Sequence, residues 1–180
     1  ANFNNLLKDQ QLLHIVEGIV SVCIAAFEQD KKILFCGNGG SASDAQHIAA
    51  ELSGRFYKDR EPLFAEALHV NSSYMTAVAN DYGYEQTYAR MLQAAGRKGD
   101  VLFGISTSGN SPNVVKAIEK ANEVGLTTIG FTGQDGGKMN AICDLMIKIP
   151  SNDTPRIQEA HILIGHIICQ LIEEELFPDA

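Results

Sequence analysis

Residues 32–56, KILFCGNGGSASDAQHIAAELSGRF, constrain the fold more than any other stretch. The apolar run Ile33–Cys36 reads as a buried strand. It breaks at Gly37-Asn38-Gly39-Gly40. Ser41, Ser43 and Asp44 then open a helix whose apolar residues Ala45, Ile48, Ala49 and Leu52 recur at helical spacing. A strand that runs through glycines into a helix N-terminus suits an anion. Backbone N–H groups converge there, the helix dipole adds partial positive charge, and glycine lets a ligand approach the backbone. One turn further on, His47 and Glu51 stand four residues apart on one helix face, where their side chains can meet.

The same order of elements recurs along the chain. Val101–Ile105 is an apolar strand that ends in Ser106-Thr107-Ser108-Gly109-Asn110-Ser111. Pro112 follows at a first-turn position, and a helix runs through Val114, Val115, Ala117, Ile118 and Ala121 to Gly125. Between the two units the pattern predicts a strand near Glu66–Val70 and helices over 72–80 and 85–95. Beyond them it predicts a strand over Leu126–Phe131, a short helix near 138–142, a strand over Asp144–Ile149 and a last helix over Pro155–Leu176. Residues 3–29 precede everything with a wide apolar stripe of helical period, suited to covering the sheet or packing against a second chain. Short apolar strands alternating with helices make a doubly wound α/β domain with a parallel sheet. Loops 37–41 and 106–111 both leave strand C-termini, so they share one sheet edge, where such folds bind ligands.

The formal net charge of −8 argues against a broad nucleic-acid or anionic-membrane surface, but a few backbone amides can still hold a small anion. The four cysteines, Cys23, Cys36, Cys143 and Cys169, are scattered in apolar surroundings and read as free thiols of a reducing compartment. No signal-like segment is apparent and no apolar run is read as membrane-spanning. The expectation is a soluble, cytoplasmic protein with no nucleic-acid or membrane partner.

Each motif has a plainer reading. The glycine turn lacks the Gly-Lys-Ser/Thr of a nucleotide-binding P-loop, and Ala42 stands where a dinucleotide fingerprint has its third glycine. No acidic residue follows at the spacing of a ribose anchor, and a tight turn without a ligand stays open. The Ser/Thr cluster can hold phosphate or merely cap a helix. His47 and Glu51 can be a metal pair, an acid/base pair or a helical hydrogen bond. The last helix, RIQEAHILIGHIICQLI, sets Gln158, Glu159, His161 and His166 among apolar residues, where polar groups need partners; a satisfied core histidine is the plain alternative for His166. Gln158 and His166 are about 12 Å apart along a straight helix, and donation from two chains would relieve that separation.

The blocks GNGGSASDAQHIAAELSGRF, AVANDYGYEQTYARM, GISTSGNSPNVVKAI, TGQDGGKM and PRIQEAHILIGH together resemble the sugar isomerase (SIS) domain of bacterial sedoheptulose-7-phosphate isomerases, the phosphoheptose isomerases. The resemblance covers nearly the whole chain. It implies a single SIS domain with a flavodoxin-like five-stranded parallel sheet and a homotetramer with active sites shared between chains. It implies conversion of sedoheptulose 7-phosphate to D-glycero-D-manno-heptose 7-phosphate, toward nucleotide-activated heptose for lipopolysaccharide or other surface glycans. By position, Ser41, Ser106, Thr107, Ser108 and Ser111 would hold the phosphate, and Asn38, Gly39, Gly40, Arg55 and Asp81 would line the sugar site. His47, Glu51, Gln158 and His166 would match zinc ligands, with Gln158 also at the substrate and Glu51 and His166 as the acid/base pair. Pro155 stands where relatives often have Asp, so a sugar contact from that side chain is not expected.

Ketose–aldose conversion through a cis-enediol needs one group to take the proton from C1 and another to manage protons at the neighbouring oxygens. Glu51 is assigned as base and His166 as acid. The rival reading is a non-catalytic SIS protein that binds the replication initiator DnaA, which this chain resembles down to the ending Leu176-Phe177-Pro178. That relative is expected to lack the Glu and the second His, and this chain has both. A sugar-phosphate-sensing domain is a further alternative, but such domains usually come joined to a DNA-binding domain.

Overall fold

The computed structural model describes Leu6 and residues 8–179. Five parallel strands, β1 (Ile33–Gly37), β2 (Ala65–Ala67), β3 (Val101–Ile105), β4 (Thr127–Thr132) and β5 (Leu145–Lys148), stand in the order β2-β1-β3-β4-β5. The α-helices that lie wholly within the described residues are α1 (Gln10–Glu28), α2 (Gly40–Ser53), α3 (Ser72–Tyr82), α4 (Thr87–Ala95), α5 (Pro112–Val124) and α6 (Thr154–Leu176). This is the doubly wound, flavodoxin-like α/β arrangement expected from the sequence.

The alternation of side chains along each strand divides the core between the two faces. Ile33, Phe35, Val101, Phe103, Ile129 and Phe131 pack under α1, α2 and α6. Leu34, Cys36 and Leu102 pack under α4 and α5, with Tyr88, Leu92, Val114 and Ile118. Every residue of β1 and β3 is buried, because both are central strands covered on both faces.

The differences from expectation lie at edges. The strand expected over Glu66–Val70 is three residues, Ala65–Ala67. Val70 N–H turns back to the Ala67 carbonyl, and this edge strand has only β1 to pair with. The predicted stretch 3–29 is α1 over Gln10–Glu28, capped by Asp9, whose Oδ1 accepts the Leu12 N–H at 3.0 Å; positions 3–5 and 7 lie outside the described residues. By length and composition α1 is apolar enough to cross a membrane, contrary to the sequence reading. Its stripe Leu12, Val16, Ile19, Val20, Cys23 and Ala26 is nonetheless buried in the domain's own core. All four cysteines are free, and Cys143 is only half-buried.

Candidate active site

Strand order reverses between β1 and β3, and register sets Gly37 beside Ile105. Asn38 and Ser106 therefore leave the sheet side by side at its switch point. The Tyr88 hydroxyl donates to the Gly37 carbonyl and fixes the strand end. Asn38 and Asn113 then exchange two amide hydrogen bonds, each 2.9 Å, and the Tyr84 hydroxyl donates to the same Asn38 oxygen at 3.0 Å. Gly39 takes a left-handed φ of +57° to enter α2. At Gly40 an added Cβ would fall 2.5 Å from Gln158 Nε2, so the Gln158 amide lies directly over the start of the helix. Ser41 is buried just inside it.

In the second loop, Ser106 Oγ lies 2.9 Å from Ser111 Oγ and 3.4 Å from Ser108 Oγ. Ser111 occupies the N-cap of α5 without making a capping bond, so its hydroxyl faces the loop instead. The Thr107 carbonyl accepts the Gly133 N–H at 2.9 Å, and the Gly109 carbonyl accepts the Met139 N–H at 3.1 Å. Gly109, at φ +64°, rests backbone to backbone on Gly136 and Gly137, where a Cβ would overlap the facing chain. The Thr132–Gly137 turn thus backs the serine loop.

The third part of the site comes from the crossing of α2 and α6. Gly165 meets Ile48 so closely that a Cβ would lie 2.5 Å from Ile48 Cδ1. That approach brings the neighbouring His166 against His47, with ring centroids 5.0 Å apart and nearly perpendicular. His47 Nε2 is 3.0 Å from Glu51 Oε1, and one ligand atom from each of His47, Glu51 and His166 lies within 4.8 Å of the others. His166 Nε2 is buried without a hydrogen-bond partner. Two imidazoles and a carboxylate, one nitrogen of which has no protein partner, fit a divalent cation of the zinc type. Phe56 covers His166, with ring centroids 5.6 Å apart.

The remaining expected residues sit around this frame. Gln158 is on the same helix as His166 but at the Gly40 end. Arg55 is exposed, between the end of α2 and Phe56. Asp81 is exposed near the end of α3 and accepts the Asn80 side-chain amide at 2.8 Å. It is followed by Tyr82, Gly83 and Tyr84, which line an open cleft with Asn38, Ser111 and Asn113. Glu159 is ion-paired to Arg156 at 2.7 Å. His161 has the core role: fully buried, it donates from Nε2 to the Thr132 carbonyl at 3.1 Å, its Nδ1 has no partner, among the described residues it joins no cluster of metal-ligating side chains, and burial pushes its pKa down to about 4. Asp44, one turn before His47, is pushed up to about 6 by burial, with His47 pulling the other way.

Residues 3–133 match the family model described as the SIS domain. The phosphoheptose isomerase of Clostridium acetobutylicum is 54% identical over 172 residues, 96% of this chain and 88% of that protein. The chain belongs to the phosphoheptose isomerase family of SIS domains. The solved phosphoheptose isomerase GmhA from Neisseria gonorrhoeae superposes with a TM-score of 0.87 at 41% identity, over 96% of this chain and 95% of that one. That from Francisella tularensis gives 0.86 at 35% identity, over 89% and 85%. Within this family frame, sequence reasoning missed Asn113, Tyr84 and Phe56. Asn113 had a faint signal: an amide in the first turn of an otherwise amphipathic helix, buried at 2% exposure.

Proposed function

We infer that this protein is an aldose–ketose isomerase that converts sedoheptulose 7-phosphate to D-glycero-D-manno-heptose 7-phosphate. The observation that carries the reading is the meeting of His47, Glu51 and His166 where the helix that leaves the first strand-end loop crosses the last helix. In this reading Ser41 and the hydroxyls of Ser106, Thr107, Ser108 and Ser111 hold the phosphate. Backbone N–H groups at the starts of α2 and α5 assist them. Asn38, Gly39, Gly40, Arg55, Asp81 and Gln158 line the sugar path.

Glu51 Oε1 is engaged by His47, which leaves Oε2 to take the proton from C1. Glu51 returns that proton to C2 of the resulting cis-enediol to give the aldose, while His166 protonates the ketose oxygen on C2 and takes a proton back from the hydroxyl oxygen on C1. Phe56 over His166 excludes water from that exchange. His47, Glu51 and His166, joined by Gln158 of a second copy, would hold a zinc ion, which when bound would polarise the substrate oxygens as a Lewis acid.

The protein is proposed to be a single cytoplasmic SIS domain that works as a homotetramer, without nucleic-acid or membrane partners. Leu163 and Ile167 on α6 flank His166 and are 41% and 40% exposed, and Leu13 on α1 is 43% exposed; a second copy would cover them. Half of the His47 side chain is open to solvent, consistent with a site completed by another chain. The product serves synthesis of nucleotide-activated heptose for lipopolysaccharide or surface glycans.

The test is turnover of sedoheptulose 7-phosphate with and without a chelator. Glu51→Gln and His166→Gln are each expected to lower kcat about 10²–10⁴-fold with the fold intact. Near-normal rates in both variants would overturn the assignment. A folded wild-type protein with no turnover under either condition would favour the DnaA-binding alternative.

A further inference from the structure

Glu173 is a carboxylate in the buried stripe of α6, 1% exposed, and the chemistry above does not use it. Its oxygens meet four donors from one distant segment. Oε1 accepts the Phe56 N–H at 3.1 Å and Arg60 Nε at 3.0 Å, and Oε2 accepts the Tyr57 N–H at 2.7 Å and the Lys58 N–H at 3.0 Å. Arg60 extends the contact. Its Nη1 donates to the Leu52 carbonyl at 2.8 Å and its Nη2 to the Glu51 carbonyl at 3.0 Å, and its guanidinium lies over the Phe177 ring. Lys58 Nζ donates to the Phe177 carbonyl.

A surface loop does not need such an anchor, because water satisfies its backbone. Burying a carboxylate is costly unless the surroundings meet all of its lone pairs, as they do here. What sets this loop apart is what it carries. Arg55 stands at its start, and Phe56 lies on His166. Arg60 holds the last turn of α2 through the backbone of Glu51 itself.

We propose that Glu173 and Arg60 form a positioning clasp for isomerisation, which seats Phe56 on His166 and fixes the end of α2 that presents Glu51. Neither residue touches the reacting atoms. The proposal rests on the reading of His47, Glu51 and His166 as the reacting cluster. The clasp spans α2, the loop and α6, so one ion pair sets the relative placement of groups contributed by two helices. Outer contacts of this kind are commonly worth 10–100-fold in activity or metal affinity.

The experiment compares the wild type with Glu173→Gln, Phe56→Leu and the double variant, using the full chain well below each melting temperature. It measures kcat and KM with sedoheptulose 7-phosphate and, separately, zinc affinity by competition with a chelator. Glu173→Gln is expected to lower kcat and zinc affinity about 10–100-fold. Phe56→Leu is expected to lower kcat, and the double variant to be little worse than Glu173→Gln alone, because both act through Phe56. A core variant far from the site, Ile129→Val, matched for loss of melting temperature, is expected to keep its kcat. A folded Glu173→Gln with kcat and zinc affinity within twofold of wild type would overturn the clasp, as would fully additive losses in the double variant. If Glu173→Gln does not fold, Phe56→Leu decides alone, and unchanged kcat there overturns the proposal. Parallel Glu51→Gln and His166→Gln measurements separate the two levels. Their retention of activity refutes the reacting cluster, whereas their loss alongside a fully active Glu173→Gln refutes only the clasp.

Discussion

His161 and His166 stand on one helix, and their surroundings give them different roles. Each keeps one buried nitrogen without a partner, but His161 Nε2 finds the Thr132 carbonyl against the sheet, while His166 faces Glu51 and His47. The sequence shows both as histidines in an apolar run. Only the rotation of α6 against the sheet tells them apart. Asn38 is similar: its place in the glycine turn is legible, but its side-chain conformation is set by Asn113 and Tyr84, which lie far along the chain. Asn113→Ala would leave Asn38 Nδ2 without its partner and Oδ1 with the Tyr84 hydroxyl alone. The expected outcome is a loss of about 1–3 kcal/mol in denaturant unfolding. KM for the sugar phosphate should rise more than kcat falls, because the turn that shapes the binding end loosens.

At the scale of elements, the strand–turn–helix units were legible because each one states its own boundaries: an apolar run, glycines or hydroxyls, then helical periodicity. The strand expected over Leu126–Phe131 is Thr127–Thr132, a shift of one residue that leaves its facing pattern intact. The crossing of α2 and α6 was not legible, although its two small clues, Ile48 and Gly165, sit beside His47 and His166. Gly165→Ala would force Ile48 to move and open the crossing. A stability loss of about 1–3 kcal/mol is expected, with a fall in kcat that exceeds any change in KM. Parallel thermal melts and steady-state kinetics check this. Nothing in the composition of residues 54–61 signals a tie to Glu173. That glutamate shows itself only as a charge at a buried position of α6, which requires the facing surface to be known.

Across the whole molecule, acid stability should report the buried histidine. His161 is held neutral in the fold, down from an ordinary 6.5 to about 4. Between those values the unfolded chain binds more protons, so its contribution is lost as pH falls. Burial opposes ionisation of Glu173, but its backbone N–H partners and Arg60 outweigh it and hold its pKa below the usual range. Its contribution is likewise lost at still lower pH. Asp44, raised to about 6, works in the opposite direction between its ordinary value and 6. The comparison that isolates His161 is wild type against His161→Gln, in which the amide can still donate to Thr132. From pH 7 to pH 4, urea unfolding should shift in favour of the variant by roughly 3 kcal/mol. A constant difference across that range would refute the assignment. By itself the sequence determined the alternating α/β order, the parallel sheet and the two strand-end loops, and it supplied the residue types of the candidate site, because these follow from local periodicity and turn chemistry. The tertiary structure alone decided which polar side chains face one another: His166 against His47 and Glu51, Asn38 against Asn113, and Glu173 against Phe56–Arg60. Those pairings join residues distant in the chain, and they are fixed by helix rotation and close approach at Gly165 and Gly40, which no local pattern encodes.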